Sequence, residues 1–267
     1  MSAAGGFARR AFASVAFRLA HVLSGVSHGL QYFAAGTLRP ADLQEMSRRY
    51  WCKPYGDDNS LQGHEAWEAK TYGQIVSTGD ALLIVGCGTG RDLIPFVEAG
   101  HPVVGVDPCG ERLATLRRIL QERGVFAELV EGFVEDVRLP GAYDVIIFSP
   151  FAYSYIPDPA RRTAVLRDLA RRLNSGGRIV LTYRRRTASW SANATRLARL
   201  GARLTRSGWS PQSYDIISLV DARKVWYEHW FTAEEIEDEA RRAGLDPVSN
   251  ECPTLTAVAV FTPTRRR

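Results

Sequence analysis

The chain of 267 residues carries 34 basic and 29 acidic side chains, a net charge of +5, with 45% hydrophobic and 24% charged residues. That balance belongs to a folded protein with a sizeable core and excludes a disordered or low-complexity chain. No concentrated basic stripe interleaved with aromatics is present, which argues against a nucleic-acid partner, and Cys52, Cys87, Cys109 and Cys252 lack both CxxC pairing and metal spacing, so no metal is expected and the thiols read as free in a reducing, cytoplasmic setting.

Residues 1–40 contain no acidic side chain. Phe12, Val15, Leu19, Val22, Val26, Leu30 and Phe33 recur at helical spacing, with Arg10, Ser14, Arg18, His21 and His28 on the opposite stripe. The pattern predicts a cationic amphipathic helix, with a break placed near Gly25. Its apolar stripe packs on the main domain or a second subunit in one reading, and lies on an anionic membrane surface in the other. Arg18 and His21 interrupt the apolar stretch and leave it too short and too polar for a good export signal, and no run is long and apolar enough for a spanning helix.

Residues 41–78 read as a helical, aromatic-rich connector or lid. From 79 to 183 strands and helices alternate. "ALLIVG" precedes a helix from about Asp92 to Ala99, and "PVVGVD" precedes one from about Gly110 to Arg123. "FAELVEG" and "YDVIIFS" follow, then the helix "DPARRTAVLRDLARRL", the turn "NSGG" and the strand "RIVLTY". This rhythm predicts parallel βαβ units. It breaks over 184–231, an insertion expected to cover the ligand crevice, which carries a second cationic amphipathic helix: Trp190, Ala194, Leu197, Leu200 and Leu204 on one face, Arg196, Arg199, Arg203 and Arg206 on the other. Residues 232–267 supply the last helix, opened by Thr232 and closed by Gly244, then two strands and a basic tail. The fold class is α/β: a doubly wound, mostly parallel seven-stranded sheet with helices on both faces, an N-terminal helical segment and an insertion before the last helix.

Ligands of such sheets sit beyond the carboxyl ends of the strands, where Gly86, Cys87, Gly88, Thr89 and Gly90 form the first corner. Arg91 stands where a dinucleotide fingerprint needs its third glycine, and no lysine follows Gly90 as a triphosphate loop requires. Asp107 closes the second strand, where a carboxylate accepts hydrogen bonds from both hydroxyls of a ribose, so the expected ligand is a nucleoside.

With these residues in view, the sequence resembles the class I S-adenosylmethionine-dependent methyltransferases. "LLIVGCGTGRD", "VVGVDP", "VEGFVEDVRLP" and "YDVIIFSP" look like four of the family's motifs in order, and "LNSGGRIVLTY" and "HWFTAEEIEDEARRAGL" like its distal half. The resemblance implies S-adenosylmethionine as cofactor, with S-adenosylhomocysteine as product, held by Gly86, Cys87, Gly88, Thr89, Gly90, Asp107, Pro108, Phe133, Val134, Glu135 and Ser149. Two positions depart from the pattern. Ile84 replaces a common acidic anchor of the methionine end, a role open to Asp92 unless that residue only favours a helix dipole. Phe133 replaces a common aspartate and stacks on the base or fills the core.

Candidate acceptor contacts are Phe151, Tyr153 and Tyr155 in the loop after the fourth strand, Tyr50, Trp51 and Tyr55 in the connector, and Tyr227 in the insertion. Aromatic faces suit a sulfonium or an amine becoming an ammonium. His229 and Tyr153 are the catalytic candidates, with His229 as base; a hydrogen-bonded core histidine is the alternative. His64, with Glu65, is expected against the cofactor. The leading expectation is N- or O-methylation of a small-molecule acceptor. A membrane-peripheral lipid or quinone methyltransferase and a non-catalytic nucleoside-binding scaffold are the alternatives, with a homodimer left open.

Overall fold

A computed structural model describes residues 3–52, 62–186, 192–221, 223–252 and 256–264, with side chains from residue 12 onward. Three helices come first, α1 (Ala3–Gly36), α2 (Pro40–Trp51) and α3 (Ala66–Ile75). The alternating core follows as β1 (Leu82–Val85), α4 (Ile94–Glu98), β2 (Val103–Asp107), α5 (Gly110–Glu122), β3 (Glu128–Glu131), β4 (Tyr143–Phe148), α6 (Pro159–Ala170) and β5 (Leu173–Arg184). The insertion holds α7 (Ala192–Thr205) and strands β6 (Asp215–Asp221) and β7 (Lys224–His229), and the chain finishes with α8 (Ala233–Arg242), β8 (Leu245–Glu251) and β9 (Thr256–Pro263).

Seven strands form one sheet in the order β3-β2-β1-β4-β5-β9-β8. β1 pairs in parallel with both β2 and β4, and β9 runs antiparallel to its neighbours β5 and β8. The chain therefore reverses its direction of winding at β1, which opens a crevice between the carboxyl ends of β1 and β4.

Period-two alternation decides which face each strand residue covers. Leu83 and Val85 join Val165, Leu166 and Leu169 of α6 and Ile236 and Ala240 of α8 on one face. Leu82 and Ile84 join Ile94, Phe96 and Val97 of α4 and Leu113, Leu116 and Ile119 of α5 on the other. Both faces are dry, which is why β1 reads as an unbroken apolar run. Thr232 caps α8 through a reciprocal box with Glu235, as its sequence predicts. The turn "NSGG" survives as an excursion inside β5, whose pairing with β4 jumps from Leu173 to Arg178. α4 is shorter than its pattern predicts and starts at Ile94 with Pro95 in its first turn.

The N-terminal helix and the insertion form one lobe, in which Tyr32, Ala35, Leu43, Ala194, Ala198, Trp209, Ile217 and Tyr227 share a core. Gly25 lies inside an unbroken α1, where the sequence reading places a break. The buried side of α7 is Ala194, Thr195, Ala198, Gly201 and Ala202, while Leu200 and Leu204 are exposed, contrary to the leucine face expected from hydropathy; Trp190 lies outside the described residues. Small residues win because the two helices cross backbone to backbone. A Cβ on Gly36 would fall well inside contact distance of the Ala198 carbonyl, and one on Gly201 would meet the Phe33 carbonyl. Gly201→Ala is therefore expected to push α1 off α7 and destabilise the fold by about 2–3 kcal/mol, read as a lower Tm in thermal melting.

Candidate active site

β1 is followed directly by Gly86, whose φ of 76° lies in the left-handed region that favours glycine. A Cβ there would also stand 2.8 Å from the Ala152 side chain, so the turn can pass under the loop after β4 only as glycine. The β1–β2 register sets Val85 beside Val106, which brings Asp107 level with this turn. Its carboxylate accepts from the Gly88 N–H at 2.9 Å and the Cys109 N–H at 2.8 Å. Burial raises the Asp107 carboxyl above the ordinary carboxylate range, and the two amide donors oppose that shift.

A cavity of about 340 Å³ opens at this corner. Gly86, Cys87, Gly88, Thr89, Asp92, Asp107, Pro108, Phe133, Val134, Glu135 and Ser149 all line it, whereas Gly90 lies behind the wall. Asp92 is buried and paired with Arg91, and its carboxyl is raised by burial against the Arg91 charge and a hydrogen bond with Ser149. Arg91 is clasped by Glu68 of α3 through two bonds of 2.7 Å, so a buried fork fixes the residue that follows the glycines. Glu135 is latched to α2 by Gln44 at 2.8 Å and to α6 by Arg161 at 2.9 Å.

The far end of the cavity is built by α2. Gln44, Ser47, Arg48 and Trp51 recur at three- and four-residue spacing and present one face to it, joined by Cys52. Trp51 lies against Tyr155, ring centroids 4.7 Å apart, and Pro150 and Ile156 complete that wall. Among the described residues the Ser47 hydroxyl, the Trp51 indole N–H and one Glu135 oxygen are buried without a hydrogen-bond partner. Orphaned polar groups facing a cavity are groups that a polar ligand would satisfy. The Cys52 thiol is pushed up to about 12, by burial and then by the neighbouring Cys109, and burial raises Cys87 as well, so these sulfurs are protonated near neutral pH.

Several sequence expectations land elsewhere. His229 is fully buried away from the cavity, with Nδ1 2.6 Å from Asp215 and Nε2 3.2 Å from Glu235. Both ring nitrogens are engaged, which makes it the hydrogen-bonded core histidine and leaves no nitrogen to act as a base. The Tyr153 hydroxyl donates to Glu239 at 2.7 Å and its ring stacks on Phe231, so it too faces the core. Tyr227 donates to Asp215 at 2.9 Å. Phe151 sits under the Arg184 guanidinium, and Tyr50 packs edge-on to Trp51; neither lines the cavity. His64 packs on Tyr72 and Phe96 and contacts the Asp92 carbonyl oxygen rather than lining the cavity. Tyr55 lies outside the described residues. Among the described residues the insertion contributes no lining; β7 instead supports α2 from behind. Trp51 and Tyr155, both expected as acceptor contacts, do line the cavity, whereas Gln44, Ser47 and Arg48 of α2, together with Arg91 and Arg112, are the part that sequence reasoning missed; the signal for the α2 residues was their three- and four-residue spacing with Trp51.

An ionised Asp107 accepts from a diol, and a protonated one loses that capacity. Because its carboxyl is raised, affinity for S-adenosylhomocysteine is expected to fall on acidification at a pH above the ordinary carboxylate range. Titration calorimetry between neutral and mildly acidic pH measures this, and Asp107→Asn should flatten the profile.

Comparison with known proteins agrees with this geometry. A family model described as a methyltransferase domain matches residues 82–177. A cypemycin N-terminal methyltransferase from a Streptomyces species is 28% identical over 181 residues, covering 63% of this chain and 73% of the relative. A ubiquinone biosynthesis O-methyltransferase from Bordetella bronchiseptica is 27% identical over 209 residues, covering 76% and 77%. The solved structure of the glycopeptide N-methyltransferase MtfA complexed with S-adenosylmethionine superposes with a TM-score of 0.54 at 15% identity, over 74% of this chain and 87% of that one. With its reversed seven-stranded sheet, its glycine corner and the carboxylate closing β2, the chain has the Rossmann-like fold of the class I methyltransferases, and its residues 82–177 match a methyltransferase domain.

Proposed function

We propose that this methyltransferase acts on a small-molecule acceptor and that the receiving atom is a neutral nitrogen. The observation that carries the reading is the continuity of one cavity from Asp107 and the glycine corner to the aromatic pair Trp51 and Tyr155. S-adenosylmethionine supplies an electrophilic methyl group on a sulfonium. Asp107 would hold the ribose diol, Phe133 and Val134 the base, and Asp92 the ammonium of the methionine end. The aromatic faces of Trp51 and Tyr155 would stabilise positive charge that develops on an acceptor amine. The orphaned Trp51 N–H and Ser47 hydroxyl would orient that acceptor. An amine brings its own lone pair, and alignment does most of the work in such a displacement. That suits an acceptor end whose expected histidine is in the core and whose thiols are protonated.

The test is transfer of labelled methyl from S-adenosylmethionine to matched panels of amines and phenols. Turnover confined to phenols would reverse the choice of atom. Trp51→Ala is expected to lower kcat/KM for the acceptor roughly threefold to thirtyfold while the Kd of S-adenosylhomocysteine stays within about twofold.

A lipid or quinone acceptor is the second reading, favoured by the row of exposed apolar side chains on α1. Methyl incorporation into an organic extract of membranes, with none into water-soluble amines, would select it.

A further inference from the structure

We propose that α1 docks the protein on an anionic lipid surface through the apolar stripe Phe12, Val15, Leu19, Leu23, Val26 and Leu30. These side chains are large and apolar, and they are between 57% and 77% exposed. They fall on one face of the helix, since each lies three or four residues, or a sum of these steps, from the others. The last turns of α1 bury Tyr32, Ala35 and Gly36 against α7 and the β6–β7 hairpin. Leu30 precedes Tyr32 by two residues, about 200° around the helix, so the stripe points away from the body of the protein. A contiguous row of this kind marks a surface that is covered in use.

Charge selects the occupant. Residues 1–41 contain no acidic side chain, and neither do residues 184–214, which hold seven arginines. α7 from that second segment crosses α1, so the lobe as a whole is cationic. Among the described residues Arg18, Arg196 and Arg203 are exposed and make no ion pair. Two copies of such a lobe would bring like charges together, whereas anionic head groups attract it. α1 does not cross the bilayer: among the described residues no helix is long and apolar enough. It lies in the interface, apolar face down, with Leu200 and Leu204 of α7 and Leu219 beside Gln31 extending the exposed apolar surface of the same lobe.

The test is co-sedimentation of the full chain with vesicles of phosphatidylcholine alone and of phosphatidylcholine with phosphatidylglycerol, combined with sedimentation velocity. Binding is expected only to the anionic vesicles, and it should weaken with salt. Leu19→Ser with Leu23→Ser and Val26→Ser, all at exposed positions, should lower the partition coefficient at least about tenfold without changing Tm or the Kd of S-adenosylhomocysteine. Arg10→Glu with Arg18→Glu should lower it by a similar factor. A full chain that stays in the supernatant with anionic vesicles overturns the proposal. So does a dimer that the serine variants split while vesicle binding is absent or unchanged, because the stripe would then be the contact between two copies.

Discussion

Asp107→Ala is expected to lower the affinity for S-adenosylhomocysteine about a hundredfold or more, measured by titration calorimetry. The carboxylate closes β2 and already accepts from Gly88 and Cys109. Its two oxygens still have lone pairs for a diol. Hydrogen bonds to a charged group contribute about 1.5–3 kcal/mol each, and two of them correspond to at least two orders of magnitude in Kd. The substitution also leaves two buried N–H groups without an acceptor, which costs about 1–3 kcal/mol apiece in stability, so Tm should fall as well. Asp107→Asn separates the two effects in part, because its one amide oxygen still accepts from one of the two N–H groups while its NH2 faces the other and the negative charge is gone. It should recover no more than about half of the lost Tm and little of the lost affinity. Unchanged affinity in a folded Asp107→Ala protein would remove the ribose from this corner and with it the assignment of the cavity.

The sheet and the cofactor end were legible in the sequence for a local reason. Each central strand is a short apolar run bounded by glycine, proline or a charged residue, and burial on both faces leaves no other pattern available. The glycine corner was legible because positive φ at Gly86, Gly88 and Gly90 leaves a direct trace in residue type. The acceptor end was legible only at Trp51 and Tyr155, because the rest of its wall is set by contacts between distant segments. α2 presents a polar face to the cavity, and polar residues on a helix ordinarily face water. His229 and Tyr153 look chemical by type and by position in the chain, yet Asp215 and Glu239 engage them across 14 and 86 residues. The hairpin β6–β7 was hidden for the same reason, since its strands share a core with α1 and α2 rather than with the sheet. Hydropathy ranks Leu200 and Leu204 above Ala198 and Gly201, but a close helix crossing needs the small residues, so the buried face of α7 keeps Ala194 and Leu197 of the expected set and is rotated away from Leu200 and Leu204.

The same long-range contacts give the second large effect. Arg162→Met is expected to destabilise the protein by about 3–5 kcal/mol, roughly a 10 °C fall in Tm. Arg162 is fully buried on α6 and binds both oxygens of Glu239 on α8, the Ile156 carbonyl at 3.3 Å and Gln212 of the insertion at 2.9 Å. Its guanidinium also lies 4.9 Å from the centre of the Phe231 ring. One side chain thus ties two helices, the loop after β4 and the accessory lobe. Without it the Glu239 carboxylate stays buried with, among the described residues, only the Tyr153 hydroxyl for a partner, and an uncompensated buried charge accounts for most of the loss. Desolvation of an ion pair is itself costly, so removing both charges should be milder than removing one. Arg162→Met combined with Glu239→Leu is expected to regain more than half of the lost Tm. Ile156 and Tyr155 line the acceptor end, so the single variant should also raise the acceptor KM while leaving the Kd of S-adenosylhomocysteine near its original value. A single variant melting within about 2 °C of the parent would show that the pair contributes little to the fold. A double variant no better than the single would place the loss in the packing and neutral hydrogen bonds of the arginine rather than in the stranded carboxylate.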